Sequence, residues 1–262
     1  MTNHQIRFDD GASYERMMGT WSRFAGDIFL DWLAPAPGLR WIDVGCGNGA
    51  FTECIVERCA PVEVEGVDPS EGQLAFARTR QAARLAQFRQ GDAMALPFAD
   101  NSFDAAVMAL VIFFVPEPAK GVAEMARVVR PGGMVAAYAW DILGGGFPAE
   151  PLMAEMRAMG LTPLLPPSVD AAKMDALRAL WTDAGLEAIE TRQIAVERTF
   201  AGFDDFWTTN LLGSNIAATV AGMAPADVEQ LKARVRMRVP ADTTGRITCG
   251  AWANAVKGRV AG

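Results

Sequence analysis

Histidine is almost missing from this chain: His4 is the only one in 262 residues, and it stands in a polar N-terminal stretch. A histidine-dependent triad or a histidine-rich metal site therefore has nothing to build on in the folded part. Tyrosine is nearly as scarce, with Tyr14 and Tyr138 alone, and neither belongs to a Tyr-x-x-x-Lys pair. The four cysteines (Cys46, Cys54, Cys59, Cys249) show no CxxC spacing, which argues against a zinc site or a disulfide framework and leaves them reduced and mostly buried. No stretch reaches the roughly 18 uninterrupted apolar residues of a membrane span, and the opening "MTNHQIRFDDGASYERMMG" has no basic-then-apolar signal region. The expectation is a soluble cytoplasmic protein with no membrane partner. Basic charge is also short: the net charge is -7, which disfavours a nucleic acid partner because phosphate binding draws on clustered Lys and Arg. The one basic run, "KARVRMR" at 232–238, reads as the solvated face of a helix.

What is plentiful is apolar: 51% of the chain is hydrophobic, enough for one large core or two small ones. Short apolar runs alternate with longer amphipathic segments, the pattern of parallel strands joined by crossover helices. It predicts strands near 40–45, 62–68, 86–90, 103–110 and 133–140, and helices near 49–59, 70–83 and 117–130. Ser70 is a candidate N-cap, and "VRPGG" at 129–133 supplies a helix stop and a tight turn. Two further strand candidates, 186–200 and 246–258, flank a stretch with a helix near 225–238. "GGGFP" at 144–148 is the best candidate hinge.

The segment "WIDVGCGNGAFT" at 41–52 joins a buried strand end, a glycine turn and a helix start. Such a junction brings bare backbone N–H groups to a ligand, and a Cβ at Gly45 or Gly47 would obstruct the approach. Taken alone it is equally a tight turn, and as GxGxxA (Gly45, Gly47, Ala50) it also fits a dinucleotide. Asp68 ends the second strand 19 residues after Gly49, where a carboxylate accepts from both hydroxyls of a ribose. NAD and S-adenosylmethionine share that ribose, so the residues leave both open.

Taken in order, "IDVGCGNG", "GVDPS", "GDAMALPFADNSFDAAVMAL" and "EMARVVRPGG" resemble the motif series of the class I S-adenosylmethionine-dependent methyltransferases over residues 40 to 141. The likeness within that class is to small-molecule enzymes of the ubiquinone and menaquinone biosynthesis type. The resemblance implies an α/β, doubly wound, Rossmann-like sheet of seven strands with the last antiparallel, helical cap insertions, and one domain over 1–262. Within it, 1–35 would be a helical lid, 40–141 the cofactor core, and 142–185 and 200–243 the cap.

It also implies roles. Gly45, Cys46 and Gly47 would meet the methionine half of the cofactor, with Asp43 close to its ammonium; Asp68 would hold the ribose and Pro69 help cover the adenine. Asp92 would accept from the adenine amino group while Ala93 donates from its backbone, and Ala109 and Leu110 would lie under the transferring end. In the lid, Tyr14, Met18, Trp21 and Arg23 are candidates, with Arg23 or Arg16 available for the cofactor's carboxylate; a plain amphipathic helix with Trp21, Phe24 and Ile28 on its buried face is compatible with this. Acceptor-pocket candidates are Phe113, Phe114, Trp140, Asp141, Phe206 and Trp207, with Met153, Met156, Met159 and Phe203 in the cap suggesting an apolar or aromatic small molecule. Many relatives carry a histidine just after the fourth strand where this chain has Phe113 and Phe114, so no mechanism through that histidine carries over.

A sulfonium methyl is already activated, so the expectation is transfer by positioning, without metal or histidine. Asp141, Asp204 and Asp205 are the carboxylates available to an acidic acceptor. The competing readings are an NAD-dependent oxidoreductase on the same kind of sheet, and a protein that binds S-adenosylmethionine without turning it over.

Overall fold

Trp41, Ile42, Asp43 and Val44 are buried in succession, which means that both faces of their strand are covered, as in the middle of a parallel sheet. The computed structural model describes residues 15–262 and places this strand at the centre of seven. The strands are β1 (Arg40–Val44), β2 (Glu63–Asp68), β3 (Ala86–Gln90), β4 (Phe103–Ala109), β5 (Val129–Trp140), β6 (Leu186–Phe200) and β7 (Ile247–Val260). Their order is β3-β2-β1-β4-β5-β7-β6. The first five run parallel, while β7 lies antiparallel between β5 and β6. The expected architecture is therefore present, and the strands beyond residue 185 join the main sheet. The chain leaves β1 toward β2 on one side and returns to β4 on the other. That reversal opens a crevice at the carboxyl ends of β1 and β4, the place where such sheets bind ligands.

Helices cover the faces. Glu15–Gly19 forms a π-helical turn that runs into the Thr20–Leu33 helix. The buried stripe of that helix is Trp21, Ala25, Phe29 and Leu33, at four-residue spacing. Phe24, expected on this stripe, points outward and is 41% exposed. The Pro118–Val128 helix starts on a proline, whose missing N–H costs nothing at a first helical position.

Three local expectations change. The helix expected over 70–83 is α-helical only from Glu71 to Ala77, with Ser70 capping it by accepting from Gln73 N–H. It ends there because the Thr79 hydroxyl donates to the Phe76 carbonyl and Arg80 turns away to bond elsewhere, leaving a separate 3-10 turn at Gln81–Arg84. "VRPGG" does not precede β5 but begins it: the pairing with β4 shifts register between Phe103 and Ala105, and Gly132 takes φ +74° there. "GGGFP" is fastened at its middle residue rather than hinged. Gly146 N–H donates to the Asp141 carbonyl at 2.7 Å, and Trp252 N–H donates to the Gly146 carbonyl at 2.9 Å.

Candidate active site

The glycine turn after β1 is held by the strand beside it. Gly45 and Cys46 both donate from their N–H to the Val67 carbonyl, at 2.7 and 3.0 Å. Gly45, Gly47 and Gly49 all have positive φ (+77°, +51° and +78°), the region that L side chains enter at a cost. Their bareness serves different ends. A Cβ on Gly45 would lie 2.5 Å from Val111, and one on Gly49 would lie 3.0 Å from Ala77, so these two allow close packing within the protein. A Cβ on Gly47 meets nothing within 4 Å. The ligand-facing bareness expected of both Gly45 and Gly47 therefore belongs chiefly to Gly47.

Asp68 is spent partly on the same turn: its Oδ2 accepts from Gly47 N–H at 2.9 Å and its Oδ1 from Ser70 N–H at 2.8 Å. Each carboxylate oxygen keeps a second acceptor direction. Burial raises its pKa, and the two backbone N–H groups work against that rise. Asp43, fully buried, accepts from the Thr52 hydroxyl at 2.6 Å through Oδ2. Its Oδ1 has no partner among the described residues. Burial pushes Asp43 up to about 7, the Thr52 bond pulling down and the Asp68 charge pushing up. Asp92 closes an Asx turn by accepting from Met94 N–H at 2.8 Å. The Cys46 thiol is raised well above its ordinary pKa, first by burial and then by Asp43 and Asp68, so it is held as the neutral thiol.

A cavity of about 780 Å³ opens over this turn, within the range of small-molecule and cofactor sites. Asp43, Gly45, Cys46, Gly47, Asp68, Pro69, Asp92, Ala93, Ala109 and Leu110 all line it. Ser22, Phe51 and Tyr138 line it too and were not singled out from the sequence. An orphaned carboxylate oxygen beside a bare glycine turn, with a second carboxylate at the end of β2, fits a ligand that carries an ammonium and a ribose.

A second cavity, of about 60 Å³, is lined by Phe113, Phe114 and Trp140, with Met153, Phe147 and Ile142 from the cap. Leu110, Phe114 and Leu165 border both cavities. Leu110 reaches this shared wall in a left-handed conformation, φ +62°, fixed by its N–H donating to the Tyr138 carbonyl at 2.8 Å, a strain of the kind concentrated at functional sites.

Other expected site residues lie elsewhere. Met18 and Trp21 line the smaller cavity rather than the larger one. Arg23 is paired with Glu57 on the outside, at 2.8 Å, and Arg16 is exposed, so neither guanidinium is placed for a carboxylate in the cavity. Phe206 packs edge-on against Phe200 and Trp207 stacks on Phe203, and neither lines either cavity, although both share the buried face of the Phe203–Asn210 helix with Asn210. Asp141 accepts from Gly144 N–H, Asp205 accepts from Ala201 N–H, and Asp204 is 95% exposed; none lines the smaller cavity. Tyr14 lies outside the described residues. Among the described residues no group of three or more His, Cys, Asp and Glu is arranged to hold a metal, and no helix is long and apolar enough to cross a membrane.

Residues 42–137 match the family described as "Methyltransferase domain". This stretch is similar to class I S-adenosylmethionine-dependent methyltransferase domains, and it is the stretch that carries the motif series read from the sequence. Over 104 residues it is 41% identical to a demethylmenaquinone methyltransferase of Desulfitobacterium hafniense, covering 38% of this chain and 41% of that one. Over 121 residues it is 39% identical to a ubiquinone/menaquinone biosynthesis C-methyltransferase of Dinoroseobacter shibae, covering 45% and 48%. The chain thus spans less than half the length of these curated relatives. In fold it is similar to the YcgJ protein of Bacillus subtilis, with a TM-score of 0.61 and 16% identity over 91% of this chain and 98% of that one. The matched region supplies most of the lining of the larger cavity and favours S-adenosylmethionine over NAD at the glycine turn. The stretches 142–185 and 200–243 that wall the smaller cavity lie outside the family match.

Proposed function

We propose that the protein transfers the methyl group of S-adenosylmethionine to a small, apolar or aromatic molecule by in-line displacement. The observation that carries this reading is the meeting of the two cavities at Leu110, Phe114 and Leu165, the larger with carboxylates and bare backbone, the smaller almost wholly apolar. In it, Asp43 Oδ1 takes the ammonium, Asp68 the ribose, Asp92 and Ala93 the adenine edge, and Leu110 the floor beneath the reacting end. The bound cofactor supplies an already activated methyl. The protein's part is to hold the acceptor in line and keep water out, which together lower a barrier by roughly 7–11 kcal/mol when the geometry is right. Phe113 and Trp140, both buried, form the wall that sets this alignment.

The test is production of S-adenosylhomocysteine when the protein and S-adenosylmethionine are challenged with a panel of apolar aromatic acceptors. Single-turnover rates then follow for Phe113→Ala, Trp140→Ala and the Asn variants of Asp141, Asp204 and Asp205. Positioning predicts that the wall variants lose up to about a hundredfold and each Asp variant much less, with no effect of chelator. A single Asp variant losing as much as the wall variants, with cofactor affinity intact, would replace positioning by general-base catalysis. Tight cofactor binding with no methyl released to any acceptor would favour a binding protein that does not turn over.

A further inference from the structure

Among the described residues, one amide side chain lines the smaller cavity: Asn210, at the end of the Phe203–Asn210 helix. It is 6% exposed. Its amide is oriented unambiguously: Nδ2 donates to the Phe206 carbonyl at 2.8 Å, and a carbonyl oxygen accepts only from a donor, so the NH2 group is the end that faces Phe206. This leaves Oδ1 as an acceptor that no donor among the described residues reaches. The same cavity is walled by Trp140, 1% exposed, whose indole N–H is buried without an acceptor among the described residues. The other described residues of the wall are Met, Leu, Ile, Phe, Trp, Pro, Ala and Gly.

A buried polar group without a partner costs more than a satisfied one gains, so such groups in a binding cavity discriminate strongly for a ligand that pairs them. We propose that Asn210 is the specificity-determining residue of the acceptor cavity, reading a hydroxyl on an otherwise apolar acceptor by accepting its hydrogen bond at Oδ1. A hydroxyl donates to the Asn210 oxygen, whereas a carbonyl or ether, which only accepts, leaves it unpaired. The inference rests on the reading of this cavity as the acceptor site. Asn210 lies in the stretch outside the methyltransferase family match, where a chain sets its own acceptor. At about 60 Å³ the cavity is smaller than the roughly 150 Å³ that holds a benzene ring in a closed core, so an aromatic acceptor extends past Leu110 and Leu165 into the space shared with the larger cavity.

Phenol and toluene test this, since they differ by a hydroxyl for a methyl on the same ring. With the full-length protein saturated in S-adenosylhomocysteine, their dissociation constants are measured by ligand-observed NMR. A cavity without a polar reader prefers toluene, the more apolar of the two; the proposal expects a preference for phenol of about 3- to 10-fold. Asn210→Leu should reverse the preference, and Asn210→Ala, which removes the acceptor oxygen, should abolish it. The Ala variant decides the matter if the Leu variant fails to fold. Preference for toluene in the unmodified protein, or a phenol preference unchanged in both variants, would overturn the role of Asn210 alone. Binding of neither probe would instead remove the acceptor reading of the cavity, and this inference with it.

Discussion

At the scale of single residues, the site turns on two carboxylates whose surroundings differ. Asp43 has an unpartnered oxygen and a pKa near 7 because burial disfavours its charge. An ammonium in the cavity favours the charged form, so binding drives the proton off. Below pH 7 the proton competes with the ligand; above it the carboxylate is ready. We therefore expect affinity for S-adenosylhomocysteine to fall as pH drops below 7, approaching tenfold per unit, and titration near pH 7 in buffers of different ionisation enthalpy to show proton release. Asp43→Asn should flatten the profile, and a flat profile in the unmodified protein would refute the assignment. Asp68 already holds Gly47 and Ser70, so Asp68→Ala should weaken binding by about 10- to 150-fold, from roughly 1.5–3 kcal/mol for a charge-assisted bond. Asp68→Asn keeps one acceptor oxygen and should lose less. The positions of these two carboxylates were legible in the sequence because each sits within a few residues of a strand end whose turn is local. Which arginine reaches the turn was not: Arg23 and Arg80 differ by helix phase and by where a helix ends, and neither is visible before the Glu71–Ala77 helix is seen to stop.

At the scale of elements, that early stop has a purpose. Arg80 Nε donates to the Asn48 carbonyl in the glycine turn at 2.6 Å, its NH1 to Glu53 at 2.8 Å and its NH2 to Glu15, while Asn48 Nδ2 donates to the same Glu15 carboxylate at 2.8 Å. One cluster thus ties the π-helical turn at Glu15–Gly19 to the floor of the larger cavity. From the other side Arg198 of β6 donates to the Met17 carbonyl at 3.0 Å. Met17 and Met18 of the same turn wall the smaller cavity. If the turn is a lid over both ligands, Glu15→Gln should speed release of S-adenosylhomocysteine by about 3- to 10-fold, the worth of one or two partly exposed bonds, and leave the association rate nearly unchanged. Stopped-flow displacement reads both; an unchanged release rate would mark the cluster as a fixed brace. The cap was the least legible part. Its helices were foreseen as acceptor walls, yet Phe206 and Trp207 turn to the inner aromatic cluster, whereas Asn210 on the same helix lines the cavity. Aromatic content marks a helix as buried, and only the packing of several elements decides which side chain of its buried face reaches the cavity.

At the scale of the whole molecule, the question is whether the last strands and the cofactor core unfold together. The sheet argues that they do. β7 pairs with β5 from Met134 through Trp140, the Trp181 indole donates to the Val135 carbonyl at 2.9 Å, and Asn254 Nδ2 donates to the Ala172 carbonyl at 3.0 Å. Removing either half would strip hydrogen-bonded edges from the other. Four fully buried tryptophans report on separate parts: Trp21 in the N-terminal helix, Trp41 in β1, Trp140 in β5 and Trp181 in the Met174–Asp183 helix. We expect tryptophan fluorescence and far-ultraviolet dichroism to give one coincident thermal transition. Because the ligand binds only the folded chain, S-adenosylhomocysteine at 100 times its dissociation constant should stabilise that entire transition by about 2.7 kcal/mol. For a chain of this size this is a rise of roughly 5–10 °C. The decisive comparison is between probes. If fluorescence of a variant keeping only Trp181 lagged behind the dichroism and ignored the ligand, residues beyond 141 would form a unit of their own; if it moves with the dichroism by the same number of degrees, the part that carries the glycine turn and the part beyond residue 141 share one cooperative fold.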